Sequence, residues 1–351
     1  MKIALIGSSE YPITANATSY REEYIYELVK GLVKNNHEVT YFGLYGSKLP
    51  CEVYSLNLES IDWSYDRETT DNVRNYAEKQ HAYFEIFKYL QETEFDIIHN
   101  LSDQQIPVFT AQFLNIPTIT TLFEKPKGLL QSSVKLNQTQ KNYYVALNHE
   151  IANSWMGHSK INDIIYRGIN YNNWTFNPKT ETNSIFLFAD IERSKKLLKV
   201  IEATKMSGFH LKIFGTLKDE IFYTSKLKPL FDNNIEYCGE AEAHAYKDEL
   251  NKASIAVITK DKFEYRENFV LEALSSGTPV VILSENINSD YLPEMCGVQT
   301  NSDDAAELRK TFVNTTRKSR KACRDYVMEK FDFERMTVDY IDFYYKVLSR
   351  K

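Results

Sequence analysis

The chain has 351 residues, 43% of them hydrophobic, which suits two compact globular domains, and no apolar run approaches the length needed to cross a bilayer. Its 42 basic and 48 acidic side chains leave a formal charge of -6, against any overall positive field for nucleic acid, and its seven histidines show no paired metal-ligand spacing, so neither nucleic acid nor a structural metal is expected. Four scattered cysteines, Cys51, Cys238, Cys296 and Cys323, form no C-x-x-C pair and read as reduced thiols of a cytoplasmic protein.

The opening KIALIG reads as a buried strand rather than a signal peptide, because it runs through a polar loop straight into a helical pattern. In that helix, Tyr20 to Lys34, residues Tyr24, Ile25, Leu28 and Leu32 share one face while Glu22, Glu23 and Lys30 lie on others. HEVTYFG supplies a second strand, FDIIHN a third and IPTITTLF a fourth. Between the second and third, residues 50–80 are polar and carry no clear pattern, and Ala82 to Leu90 reads as a helix. YYVALNHEIANSW and DIIYRGI complete the alternation. A polar stretch at 170–183 with Pro178 is the best linker. Beyond it SIFLFA, HLKIFG, IEYCG, SIAVIT and TPVVIL read as strands separated by helices or loops. The tail, Phe331 to Leu348, places Met336, Tyr340, Tyr344 and Val347 on one helical face. The expected class is therefore α/β, with two doubly wound parallel-sheet domains over 1–169 and 184–330 and a packed terminal helix over 331–351.

The segment EYRENFVLEALSSGTPVVI carries the chemistry. Glu264 and Glu272 stand eight positions apart, and Glu272 is the one charge among Phe269, Val270, Leu271, Ala273 and Leu274. An isolated helical Glu ordinarily points to water; within this apolar run, a buried carboxylate needs a partner. Gly277 ends the helix, Pro279 forbids its continuation, and Val280 to Leu283 reads as a buried strand. A carboxylate is well suited to a vicinal diol, since it offers two strong acceptors. Lys195, at a helix start just after SIFLFA, is a candidate for meeting a diphosphate. The competing reading is that Lys195, Lys196, Lys199 and Lys205 form the wet face of a helix whose Leu197, Leu198 and Ile201 point inward.

These motifs resemble the retaining glycosyltransferases of family 4, most of all their avilamycin-type branch, and the likeness spans nearly the whole chain. The resemblance implies a GT-B fold, two Rossmann-like domains facing across a cleft, and metal-independent transfer of a sugar from a nucleotide diphosphate donor, uridine-linked by default, without a further cofactor. It places Glu272 on the ribose hydroxyls, Glu264 by the donor sugar, Lys195 on the diphosphate, and Arg266, Asn268 and Phe269 among the donor-binding positions. His99, at the end of FDIIHN, falls on a His that can orient acceptor or sugar, with Asp103 and Glu124 as nearby proton acceptors. It also implies a terminal helix that crosses back to the first domain.

Four positions depart from that pattern. Ser19 and Tyr20 replace a Gly-Gly pair, Phe123 replaces a His, Asp190 replaces a phosphate-binding Arg, and Tyr265, Arg266 and Glu267 replace a Gly-rich triplet. Arg266 is the residue that could restore the charge missing at Asp190. Two functions are thus expected: a glycosyltransferase acting on a glycan, peptide or small-molecule acceptor, or a catalytically degenerate binder serving as a partner subunit. A dehydrogenase is disfavoured, because neither half carries G-x-G-x-x-G.

Overall fold

The computed structural model describes residues 1–17, 19–56, 61–65, 68–137, 139–180, 183–240, 243–259, 263–284 and 290–349, and within these the side chains of 243–245 and 263–267 are not described. Two compact units divide the chain, one of Met1–Gly168 with Phe333–Lys351, the other of Ile169–Asp332.

In the first unit, β1 (Lys2–Ile6), β2 (Glu38–Leu44), β3 (Glu52–Leu56), β4 (Ile97–Asn100), β5 (Thr118–Leu122), β6 (Asn142–Ala146) and β7 (Ile161–Ile164) form a parallel sheet ordered β3-β2-β1-β4-β5-β6-β7. Its helices are α1 (Tyr20–Lys34), α2 (Asp71–Glu92), α3 (Gln105–Thr110), α4 (Gly128–Leu136) and α5 (His149–Ser154). Ser19 starts α1 by accepting from the Glu22 N–H while its own hydroxyl donates to the Glu22 carboxylate. Alternate strand residues Ala4, Ile6, Phe42 and Ile98 bury one sheet face against Tyr83, Ile86 and Leu90 of α2.

The stretch without a clear sequence pattern contains β3 and the front of α2. The strand β3 closes one edge of the sheet and buries only Leu56 fully, and residues of the first turns of α2, such as Val73, are exposed, so neither shows an apolar stripe. Of DIIYRGI, which completes the alternation, only the first two residues lie in the sheet as the end of β7, and Gly168 abuts Phe333, where a Cβ would lie 2.6 Å from the Phe333 Cα.

The second unit repeats the architecture with β8 (Ser184–Phe188), β9 (His210–Phe214), β10 (Ile235–Gly239), β11 (Ile255–Ile258), β12 (Val280–Leu283) and β13 (Gly297–Thr300), all parallel and ordered β10-β9-β8-β11-β12-β13. The helices are α6 (Lys195–Ser207), the single turn α7 (Glu220–Phe222), α8 (Ala243–Lys252), α9 (Phe263–Ser275), α10 (Ala305–Thr315) and α11 (Arg320–Lys330). One sheet face is aliphatic, with Ile185, Leu187, Ile213, Val257 and Val281 packed on Leu197, Val200 and Ile201 of α6 and Leu308 and Phe312 of α10. The other is aromatic: Phe186 stacks on Phe214 at 4.6 Å and Phe188 on Phe269 at 4.8 Å, with Tyr246 of α8 edge-on to Phe186 at 5.3 Å.

Residues 170–180, read from sequence as linker, are held within this second unit. Arg324 donates to the carbonyls of Tyr171, Trp174 and Ser275, and Arg320 to those of Asn177, Asn251 and Ala253. The last helix, α12 (Phe333–Leu348), belongs to the first unit, where Met336, Tyr340, Phe343, Tyr344 and Val347 are buried and Gly31 of α1 admits Thr337 at a distance no larger residue permits. None of the described helices is long and apolar enough to cross a membrane.

Candidate functional site

In the second unit β8 and β11 are hydrogen-bonded neighbours, yet β8 leads to α6 on the aliphatic face and β11 leads to α9 on the aromatic face. This is a topological switch point, where the two departing connections leave a crevice beyond the strand carboxyl ends. Lys195 is the first residue of α6. Ser194 caps that helix by accepting from the Leu197 N–H at 3.3 Å, which fixes the first turn with its remaining N–H groups outward. The Lys195 side chain is exposed and has no ion-pair or hydrogen-bond partner among the described residues. Neighbouring lysines differ: Lys199 is paired with Glu202, and Lys205 with Asp232.

Asp190 stands two residues past the end of β8. Its carboxylate lies 2.5 Å from the Lys218 Nζ and accepts from the Thr216 N–H, so a cation from the loop after β9 stands beside the anion. The two loops are held close by Gly215, whose φ of +152° suits glycine and where a Cβ would lie 2.0 Å from the Ala189 carbonyl oxygen.

On the other side of the switch point, α9 begins at Phe263 and contains both Glu264 and Glu272. The side chains of Glu264 and Arg266 lie outside the described residues. Glu272 is buried, only 4% exposed, and accepts a short hydrogen bond from the Tyr246 hydroxyl of α8. Asn268 is buried at 3% exposure, and Phe269 is locked between the strand aromatics, where it packs rather than presents a surface. The helix ends as its sequence requires. The N–H of Gly277 reaches the Leu274 carbonyl and that of Thr278 the Ala273 carbonyl, with Gly277 at φ +84°.

In the first unit His99 lies at the carboxyl end of β4, 0% exposed, with Nδ1 at 2.7 Å from the Tyr344 hydroxyl and Nε2 at 2.8 Å from Thr121 Oγ1. Thr121 joins Tyr340, and Tyr340 joins Tyr24, in one buried chain of hydrogen bonds linking β4, β5, α1 and α12. Burial pushes the imidazole pKa down to about 3, so the ring is neutral at ordinary pH. Both nitrogens are engaged with the terminal helix and β5, which makes His99 a positioning residue for α12 in this structure.

Phe123, in the position where a His was expected, packs edge-on against Tyr24 at 5.2 Å and carries the Arg21 guanidinium over its ring at 4.5 Å. Arg21 in turn bridges Asp103 at 3.1 Å and Glu124 at 3.4 Å, and Lys127 pairs with Glu124. Asp103 adopts a left-handed backbone at φ 59°. The loop after β1 is also held to α2, for the Ser9 N–H reaches the Tyr83 hydroxyl at 3.0 Å. Sequence reading identified neither Tyr246 as the partner of Glu272, nor Lys218 beside Asp190, nor Arg21. Each contact depends on strand order, and no local spacing announces it. Among the described residues, no three His, Cys, Asp or Glu side chains gather in a group that could hold a metal ion.

The sequence matches no protein-family model and no curated protein. The backbone has solved counterparts. It is similar to a glycosyltransferase from Rickettsia africae at TM-score 0.68 and 15% identity, covering 100% of both chains. It is similar to AviGT4, a glycosyltransferase involved in avilamycin A biosynthesis, at TM-score 0.60 and 16% identity over 99% of this chain and 98% of that one. Anabaena Alr3699/HepE in complex with UDP matches at TM-score 0.66 and 13% identity, over 97% of this chain and 99% of that one. At these identities the likeness establishes the fold: two parallel-sheet Rossmann-like units of the kind found in GT-B glycosyltransferases.

Proposed function

We propose that this protein is a retaining glycosyltransferase of family 4 that transfers a sugar from a nucleotide diphosphate sugar, uridine-linked, to a glycan, peptide or small-molecule acceptor without a metal ion. One observation carries the reading: Lys195 on α6 and Glu272 on α9 sit on the two helices that diverge at the switch point of the second sheet. Supporting it, a similar fold has been solved with UDP bound. In this reading the ribose hydroxyls donate to Glu272, the diphosphate lies at the start of α6 against Lys195, and Glu264 meets the donor sugar, with Arg266 and Asn268 on that side and Phe269 holding α9 against the sheet rather than touching the ligand. As the bond to the anomeric carbon breaks, charge grows on the diphosphate. Lys195 and the first-turn N–H groups of α6 stabilise that charge. Same-face transfer, with the leaving phosphate taking the acceptor proton, asks positioning of the protein rather than a nucleophile.

A second reading is favoured by particular contacts: Tyr246 already occupies Glu272, and Asp190 holds Lys218. A protein of this kind would bind nucleotide sugars without turnover and act as a partner subunit. The two are separated by calorimetry across nucleotide sugars, then a long incubation of the best binder with candidate acceptors followed by mass spectrometry. Sugar transfer or slow donor hydrolysis supports the enzyme. Tight binding with neither, together with activation of a coexpressed partner, supports the binder, and no nucleotide binding overturns both.

A further inference from the structure

Four cysteines scattered in sequence become two single thiols and one pair in space. Cys51 and Cys238 are partly exposed and lie apart from the others, whereas Cys296 and Cys323 are fully buried together in the second unit. Cys296 directly precedes β13, and its carbonyl accepts from Val280 of β12 at 3.1 Å. Cys323 sits in the first turns of α11. The Cys323 thiol points at the Cys296 carbonyl at 3.8 Å, and the Cys296 thiol points at the carbonyl of Ala322, the residue before Cys323, at 3.9 Å. Each sulfur therefore lies against the backbone of the other.

The two thiols differ chemically. The neighbouring Cys323 side chain pushes the Cys296 pKa down against the opposing effect of burial, with the Lys318 charge adding to the lowering. The Cys296 side chain, together with burial, pushes Cys323 up. Cys296 is thus the thiol that gives up its proton more readily, and Cys323 holds its proton more tightly.

We propose that Cys296 and Cys323 are a redox-active dithiol that closes to an intramolecular disulfide, tying α11 to the start of β13. The oxidant is an organic disulfide. The Cys296 thiolate attacks one of its sulfurs and expels one thiol. Cys323 then gives up its proton, attacks Cys296 in the mixed disulfide and expels the second thiol. The protein dithiol loses two electrons and two protons, and the organic disulfide gains them as two thiols.

The cross-link acts on a sensitive place. From α11, Arg324 donates to the Ser275 carbonyl and Arg320 to the Ser276 carbonyl, at the end of the helix that carries Glu272. Closing residues 297–322 into a loop restricts the unfolded chain and fixes α11 over α9. Because both sulfurs are buried, attack requires α11 to open.

The test uses the full chain with Cys51→Ser and Cys238→Ser, equilibrated with oxidised glutathione, then alkylated in denaturant and mapped by mass spectrometry. The expected result is a linked pair of peptides containing Cys296 and Cys323, no retained glutathione, and a melting temperature above the reduced form that dithiothreitol reverses. Adding Cys323→Ser should leave a stable glutathione adduct on Cys296. Peptide mapping of the unsubstituted chain gives the same answer without relying on any variant. Full alkylation of both cysteines after exposure to the oxidant, or cross-links from either one to Cys51 or Cys238 in the unsubstituted chain, would overturn the proposal.

Discussion

Replacing Glu272 by Ala separates a ligand-binding carboxylate from a structural one. In the free protein this side chain is buried and takes a hydrogen bond from Tyr246. If the ribose diol uses the same carboxylate, its loss removes charged hydrogen bonds worth about 1.5 to 3 kcal/mol, or roughly a 10- to 150-fold weaker affinity for UDP. Affinity for inorganic pyrophosphate, which has no ribose, should not change. Glu272→Gln controls for folding, because its amide oxygen still accepts from Tyr246, and it should also lose UDP affinity. Tyr246→Phe works in the opposite direction. It removes a donor from the buried carboxylate and so destabilises the free protein by about 1.5 to 3 kcal/mol. The melting temperature should then fall by roughly 3 to 12 °C for a unit of this size. Ribose hydroxyls replace the missing donor, so UDP binds this variant more tightly and the deficit shrinks at saturating UDP. Calorimetry and thermal melts with and without ligand read all three variants. Unchanged UDP affinity in a folded Glu272→Ala, or an equal loss for pyrophosphate, would refute the reasoning.

His99 makes stability depend on pH with a definite sign. Its pKa is lowered from 6.5 to about 3 in the fold, so between those values the unfolded chain holds a proton that the native one lacks, and stability falls as pH falls. The slope should approach about 1.4 kcal/mol per pH unit in denaturant titrations, and His99→Asn should flatten it by that amount; parallel curves for the two proteins would contradict the burial argument. Lys195→Ala should weaken UDP much more than uridine, with the gap narrowing at high salt. Equal losses for the two ligands, measured by parallel titration, would return Lys195 to a purely structural role.

Parallel strands buried on both faces leave near-continuous apolar runs, which is why SIFLF and VVIL were readable as strands. Where burial is partial, the signal thins. GVQT of β13 offers one fully buried residue, and β3 at its sheet edge offers one as well, so both escaped notice. The same limit governs the site. Lys195 was legible as a helix-start cation just after the SIFLFA strand, with the family resemblance favouring it over a merely wet helix face, and Glu272 because one charge inside an apolar helix needs a partner. Who that partner is was not legible, since Tyr246 meets Glu272 only through the packing of α8 and α9 on the aromatic sheet face. His99 shows the same dependence over a longer span: its partner Tyr344 is 245 residues away, and only the return of α12 to the first unit buries the ring.

The two units differ in what they leave open beyond their strand ends. In the first, the unit's own side chains engage one another: Arg21 is shared by Asp103 and Glu124 over Phe123, Tyr83 holds Ser9, and His99 is enclosed by Tyr344 and Thr121. In the second, Lys195 has no partner among the described residues, while a carboxylate is buried in the core of α9. Stability does not ask for that combination. An exposed Lys adds little to a fold, and replacing a buried ionised group by an apolar one of similar size is often neutral or stabilising. A ligand that brings an anion to the start of α6 and hydroxyl donors to Glu272 in exchange for Tyr246 would draw on both features. A diphosphate joined to a ribose offers both on one molecule, and under the proposed function the binding energy for a nucleotide donor therefore concentrates in the second unit.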